Sequence, residues 1–123
     1  VVDMHCGDGN EALIPYTYWM IGPDAGATAE AKAMCLAFGI PTIIIDDTRS
    51  QDIKDSKYLG NTALLRKKPA ITTEWGFLGR MDEIAVQKNA AGVLSVMRLL
   101  RMISGEPESV AQPVCSCAET RAR

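Results

Sequence analysis

Two side chains able to do metal and proton chemistry stand at the ends of apolar segments. His5 follows Val1-Val2-Asp3-Met4, and Glu74 follows Ala70-Ile71-Thr72-Thr73. Both segments read as β-strands, and in a parallel α/β sheet functional groups gather at the carboxyl ends of strands. Each residue is followed closely by a glycine, Gly7 or Gly76, which leaves room for a ligand to approach the backbone. An imidazole and a carboxylate on one rim suit a metal ligand and a general base. Zinc lowers the pKa of a bound water to about 7, and a neighbouring carboxylate can then accept its proton. The plainer roles are a hydrogen-bonded structural histidine and a capping or ion-paired glutamate. Asp46-Asp47 ends a third apolar segment and is nominated by the same geometry, with turn and cap residues as its plainer role. Gly76-Phe77-Leu78-Gly79-Arg80 lacks the three-glycine dinucleotide pattern and reads as a tight strand-to-helix turn.

The elements that must position these groups follow from pattern. Val1 to His5 reads as a short strand, and Cys6 to Glu11 as a loop with two glycines. Ile14 to Ile21 is aromatic and aliphatic enough for a strand, with Pro15 arguing against a central place at its start. Thr28 is positioned to cap a helix that runs to Phe38, buries Met34, Cys35 and Phe38, and stops at Gly39. Pro41 to Ile45 is a continuous apolar strand of the kind covered on both faces. Lys57 to Lys68 suits a second helix closed by Pro69, and Ala70 to Glu74 another strand. Asp82 caps a final helix in which Val86, Ala90, Val93, Met97 and Leu100 form the buried stripe, with Gln87, Lys88, Ser95, Arg98 and Arg101 outside. Strands alternating with helices at these lengths imply crossovers. The expected class is therefore α/β, a mainly parallel sheet flanked by helices. Residues 1–104 form the domain, and 105–123, with Gly105, Pro107 and Pro113, a linker and irregular tail.

Composition narrows the function classes. The 123 residues are 47% apolar, enough for one core and too many for a chain that stays disordered. Thirteen basic against fifteen acidic residues leave a net charge of −2, which gives no electrostatic case for nucleic acid or an anionic membrane surface. No apolar run approaches the ~18 residues of a membrane span. The four cysteines, Cys115-Ser116-Cys117 among them, are too sparse for a disulfide scaffold, and with one histidine and no C-x(2–4)-C pair the chain assembles no common structural zinc site unaided. Cys6 reads as a small hydrophobe. The chain opens on Val1-Val2-Asp3 rather than on a basic and apolar leader, so a cytoplasmic setting is expected. Starting inside a strand and stopping after a linker, it reads as a fragment of a longer polypeptide.

Two blocks carry a family resemblance. Asp3-Met4-His5 followed by Asn10-Glu11-Ala12-Leu13-Ile14-Pro15 resembles the D-x-H segment and N-E-x-x-x-P stretch of the succinylglutamate desuccinylase/aspartoacylase family. Ile71 to Arg80 resembles that family's later block, a strand, a glutamate and a glycine-rich turn. The resemblance spans residues 1–113 and implies part of a zinc carboxypeptidase-like catalytic domain. It also implies a zinc cofactor, with His5 as the third zinc ligand and Asp3 orienting it, and Glu74 as the general base that activates the zinc-bound water. The implied substrates are N-acyl amino acids or similar small amides. The family's upstream H-x-x-E motif, which supplies the first two ligands, is not among these residues, and neither are its substrate-binding arginines or its C-terminal β-rich domain. The expectation is an amidohydrolase fragment that is inactive as this chain alone. The alternative is a non-catalytic α/β domain for association or small-molecule binding, pairing as a homo-oligomer through Ser56 to Lys68 and Met81 to Ile103. A fragment with no function of its own is the third reading.

Overall fold

The computed structural model describes residues 1–80, 82–110 and 113–117. The short segment Val2–His5 forms strand β1, and runs of β-branched and aromatic residues form β2 (Tyr16–Met20), β3 (Thr42–Asp46) and β4 (Ile71–Glu74). The helices are α1 (Ala25–Phe38), α2 (Leu59–Leu65) and α3 (Glu83–Leu99), and a last strand β5 covers Val114–Cys117. The α/β class and helix-flanked sheet expected from the sequence are observed. The sheet order is β1-β4-β2-β3-β5. Neighbouring strands run parallel except β2 and β4, which are antiparallel with Tyr16 opposite Glu74 and Thr17 opposite Thr73.

That antiparallel pair has a chemical consequence. The carboxyl ends of β1 and β4 open on one rim, while those of β2 and β3 open on the other. His5 and Glu74 therefore lie away from Asp46, although all three are strand-end residues.

Strand parity assigns the layers. Thr17, Trp19, Ile43, Ile71 and Thr73 face α1 and α3. Asp3, His5, Tyr16, Tyr18, Met20, Thr72, Glu74 and Asp46 face the side where α2 packs. Helix α1 is capped by Asp24, whose Oδ1 accepts from the Ala27 amide at 2.9 Å. Thr28, expected as the cap, lies one turn inside, and its Oγ1 accepts from the Gly22 amide at 3.1 Å to brace the β2–α1 loop. The helix stops at Gly39, whose φ of 90° is the left-handed conformation that glycine adopts freely. Met34, Cys35 and Phe38 are buried as expected. Around them sit Ile40, Ile43, Leu64, Ile71 and Val96.

Helix α3 departs from its expected facing. Asp82 does cap it, accepting from the Ile84 amide at 2.9 Å. Its buried residues, however, are Ala85, Gly92, Ser95 and Val96. Val86 and Ala90 are exposed, while Val93, Met97 and Leu100 are half-buried. The reason is proximity. Gly92 lies directly against Phe38, so the smallest residues of α3, rather than its most apolar ones, face α1. Ser95, expected outside, is buried, and its Oγ accepts from the Glu108 amide at 2.8 Å. This bond straps the segment after α3 back onto the helix, and the Val110 amide donates to Leu36 O at 3.2 Å. The stretch expected as an irregular tail also holds β5, which pairs in parallel with β3, Val114 opposite Thr42. Residues 118–123 lie outside the described residues.

Candidate active site

The β1–β4 register sets His5 directly opposite Glu74. Paired residues on neighbouring strands project to the same face, so imidazole and carboxylate share one rim. Asp3, two residues earlier on that face, has Oδ1 3.2 Å from His5 Nε2. This is the orienting contact that a metal-bound imidazole needs, and it leaves Nδ1 without a hydrogen bond among the described residues. The His5 side chain is half exposed, so a ligand can reach it.

Burial raises the Glu74 carboxyl pKa above its usual value. The positive potential of His5 opposes this, and the negative charges of Glu11, Asp3 and Asp8 add to it. A carboxylate held this way is a better proton acceptor than a free one. The same charge cost has a sign that can be measured. The folded chain binds the Glu74 proton more tightly than the unfolded chain, so the ionised carboxylate weakens the fold as pH rises from about 4.5 through the higher folded value. Glu74→Gln is therefore expected to raise Tm at pH 7, with the gain fading as pH falls to 4. A lower Tm at pH 7 would show that the carboxylate is instead held by stabilising partners.

Tyr16, which periodicity alone did not nominate, faces Glu74 across β2–β4. Burial, then a hydrogen bond with Tyr18, pushes its phenol well above the ordinary value, so it stays protonated as a donor. Its ring meets Tyr18 edge-on at 5.2 Å. Only the antiparallel neighbour brings it here, and strand direction is not written in an apolar run.

The glycines serve the loops rather than a ligand, contrary to the expectation from their position. A Cβ on Gly76 would fall 2.6 Å from Cys6 Cβ, and one on Gly7 would fall 2.7 Å from Glu11 O. These contacts let the two rim loops lace together. Gly79 donates to Gly7 O and Leu78 to Glu11 O, both at 3.0 Å, while Trp75 donates to His5 O at 3.2 Å. Leu78 and Gly79 carry φ of 53° and 64°, so Phe77 to Arg80 is the tight turn expected. Cys6, which reads as a small hydrophobe, is exposed and lies against Gly76.

Asp46 has a structural role. Its buried carboxylate accepts from the Thr48 amide at 3.1 Å and the Thr48 hydroxyl at 2.8 Å, and from Arg49 Nε. The turn reading of this segment is the observed one.

Beside β1 runs an open apolar groove of about 850 Å³, with His5 and Cys6 at one end and Val86, Ala90, Val93 and Leu94 of α3 along its wall. Among the described residues, β1 pairs only with β4, so its outer edge also faces this groove.

No family model matches the chain, and no curated protein matches it by sequence. Solved structures do. A succinylglutamate desuccinylase/aspartoacylase from Rhodobacter sphaeroides superposes with a TM-score of 0.75 over 94% of this chain, at 23% identity. The product-bound ectoine utilization protein EutE from Ruegeria pomeroyi gives 0.80 over 98%, at 19% identity. A succinylglutamate desuccinylase from a Silicibacter species gives 0.77 over 93%, at 20% identity. The chain has their fold. It spans only about a third of their length, 34%, 35% and 33% respectively. The partial-domain architecture expected from the two sequence blocks therefore agrees with these neighbours.

Among the described residues no three histidine, cysteine, aspartate or glutamate side chains converge to hold a metal ion. The rim offers one oriented imidazole and one basic carboxylate, a donor set that fits one ligand of a zinc site and its proton acceptor. No helix is long and apolar enough to cross a membrane among the described residues.

Proposed function

We propose that this chain is part of a zinc-dependent amidohydrolase acting on N-acyl amino acids or similar small amides, with His5 as a zinc ligand and Glu74 as the general base. The observation that carries this reading is the pairing of His5 with Glu74 across β1–β4, with Asp3 behind the imidazole. The neighbours named as a desuccinylase and an aspartoacylase support the same substrate class. Zinc, when bound, would polarise the substrate carbonyl and acidify water. The protein's own part is to hold His5 in one orientation through Asp3, to accept a proton at the Glu74 carboxylate, and to return it to the leaving amine. The Tyr16 phenol stands opposite Glu74 on the same rim, with its hydrogen bond made to Tyr18. On this reading the remaining ligands would come from other polypeptide, and a cytoplasmic setting belongs to the proposal as well. Zinc held by His5 alone is weak and exchangeable, since catalytic sites use three protein ligands.

Zinc titration against a chromophoric chelator tests it. Weak binding that disappears in His5→Ala and drops about tenfold in Asp3→Asn is expected. Tight binding indifferent to both changes would place the metal elsewhere and sink the assignment. N-succinylglutamate and an N-acylated aspartate are the first substrates to assay.

One observation favours association as a second role. Helix α3 carries two apolar stripes, and the one formed by Val86, Ala90, Val93 and Leu94 lies open beside the edge of β1. An exposed apolar face next to an unpaired strand favours pairing with another polypeptide, a second copy included. Sedimentation velocity should show concentration-dependent self-association that Leu94→Asp abolishes. A monomer at every concentration would leave the groove to other polypeptide.

A further inference from the structure

We propose that the cavity at the carboxyl ends of β2 and β3, on the rim opposite His5 and Glu74, is a binding site for a small carboxylate. The cavity holds about 500 Å³ and is bounded by the loop after β3 and the start of α2. That volume lies within the range of about 300–1,000 Å³ typical of small-molecule sites.

Its central group is Arg49. The guanidinium is anchored through Nε on buried Asp46 and lies over the Tyr58 ring, with its central carbon 4.1 Å from the ring centroid. An ion pair and a stacked ring fix the plane of the fork before any ligand arrives. The two terminal nitrogens make no hydrogen bond among the described residues, and they form the edge that takes a carboxylate in a bidentate pair.

Lys57 lines the same cavity as a second cation without an ion pair among the described residues. Asn61 is buried, and its Nδ2 donates to Ser50 O at 3.1 Å and to Ser56 Oγ at 3.3 Å. These bonds join the two walls of the cavity and hold its shape.

The charge count selects the ligand. Arg49 and Lys57 line the cavity with Asp55, and buried Asp46 behind Arg49 balances the guanidinium, so the cavity is close to neutral before binding. A singly charged carboxylate gains the guanidinium edge at little repulsive cost, whereas a doubly charged phosphate is repelled about twice as strongly by Asp55. The Tyr58 ring adds an apolar surface for a short aliphatic tail.

The test is a titration of the isotopically labelled chain with sodium propionate, and separately with inorganic phosphate, at constant ionic strength. Amide shifts at Ser50, Tyr58 and Asn61 are followed. Propionate should give saturable shifts at these amides and bind more tightly than phosphate. Lys57→Glu, which alters an exposed side chain and leaves the fold intact, should weaken propionate at least tenfold. Arg49→Lys, which keeps the charge and loses the fork, should do the same, with the rest of its spectrum reporting the fold. Shifts that are absent, that rise linearly without saturating, that ignore Lys57→Glu, or that favour phosphate would each overturn the proposal.

Discussion

Replacing Arg49 by alanine is expected to lower the unfolding free energy by about 3 kcal/mol, far more than an ordinary surface ion pair would lose. Exposed pairs contribute about 0–1 kcal/mol, because water solvates each partner once they separate. Asp46 has no such recourse. Its side chain is 3% exposed, and two of its three hydrogen-bond donors belong to Thr48, which carries no charge. Removing the guanidinium leaves a carboxylate inside the protein without its counter-charge, the situation that costs about 3–5 kcal/mol when a buried pair is broken. The Arg49 side chain is itself 24% exposed, which puts the expectation at the lower end of that range. Loss of the counter-charge can be separated from simple loss of contact area by a second substitution. Asp46→Asn keeps the size and the acceptor oxygen while removing the charge, so Arg49→Ala in that background should lose much less than it does alone. Urea unfolding of the four proteins gives the comparison. A loss below about 1 kcal/mol for Arg49→Ala would mean that water reaches Asp46 and that the pair is worth no more than a surface one.

The same residues show where the sequence was legible and where it was not. Asp46, His5 and Glu74 each end an apolar run, and nothing in composition or spacing tells them apart. Strand direction separates them, and direction depends on which neighbour a strand chooses after the chain has folded. Helix, strand and helix in succession suggested a parallel crossover from β3 to β4. Instead β4 inserts between β1 and β2, parallel to the first and antiparallel to the second. Local signals were more dependable. Gly39 and Asp82 ended and began helices because backbone groups at helix termini need partners wherever the helix lies. Thr28 misled for a related reason: Asp24, four residues earlier, captures the free amide at Ala27 and starts the helix sooner.

The two neighbouring site residues were readable because they belong to compact blocks, Asp3 with His5 and Glu74 with its glycine turn. Tyr16 was not, since it reaches Glu74 only through the antiparallel pairing. The exposed place of Cys6 was not readable either, since it is set by a loop, Gly76 included, that lies far away in sequence. In α3, periodicity found a genuine apolar stripe and attached it to the wrong neighbour. The helix has a second, smaller-residue face, and close approach to α1 selected that one.

This selection yields the second large effect, at Gly92. In an exposed helix, Gly→Ala adds about 1 kcal/mol of stability, because alanine restricts the unfolded chain and glycine is a poor helix former. At Gly92 the sign should reverse. A Cβ there would sit 2.7 Å from Phe38 O and 2.8 Å from two atoms of the Phe38 ring. The carbonyl belongs to the last residue of α1, next to Gly39, and cannot move without disturbing that helix end. Gly92→Ala should therefore destabilise by about 1 kcal/mol or more despite its better propensity, and Gly92→Val by about 3 kcal/mol, as overpacked cores do. Gly60 supplies the contrast. A Cβ there meets chiefly the terminal methyl of Met20, a flexible chain end that can turn aside. Gly60→Ala should thus cost much less than Gly92→Ala, even though both glycines are buried in helices. Chemical denaturation of the three variants decides it. If Gly92→Ala proves more stable than the parent, α3 does not pack this closely on α1. The groove beside His5, whose wall is the opposite face of the same helix, would then have a different width.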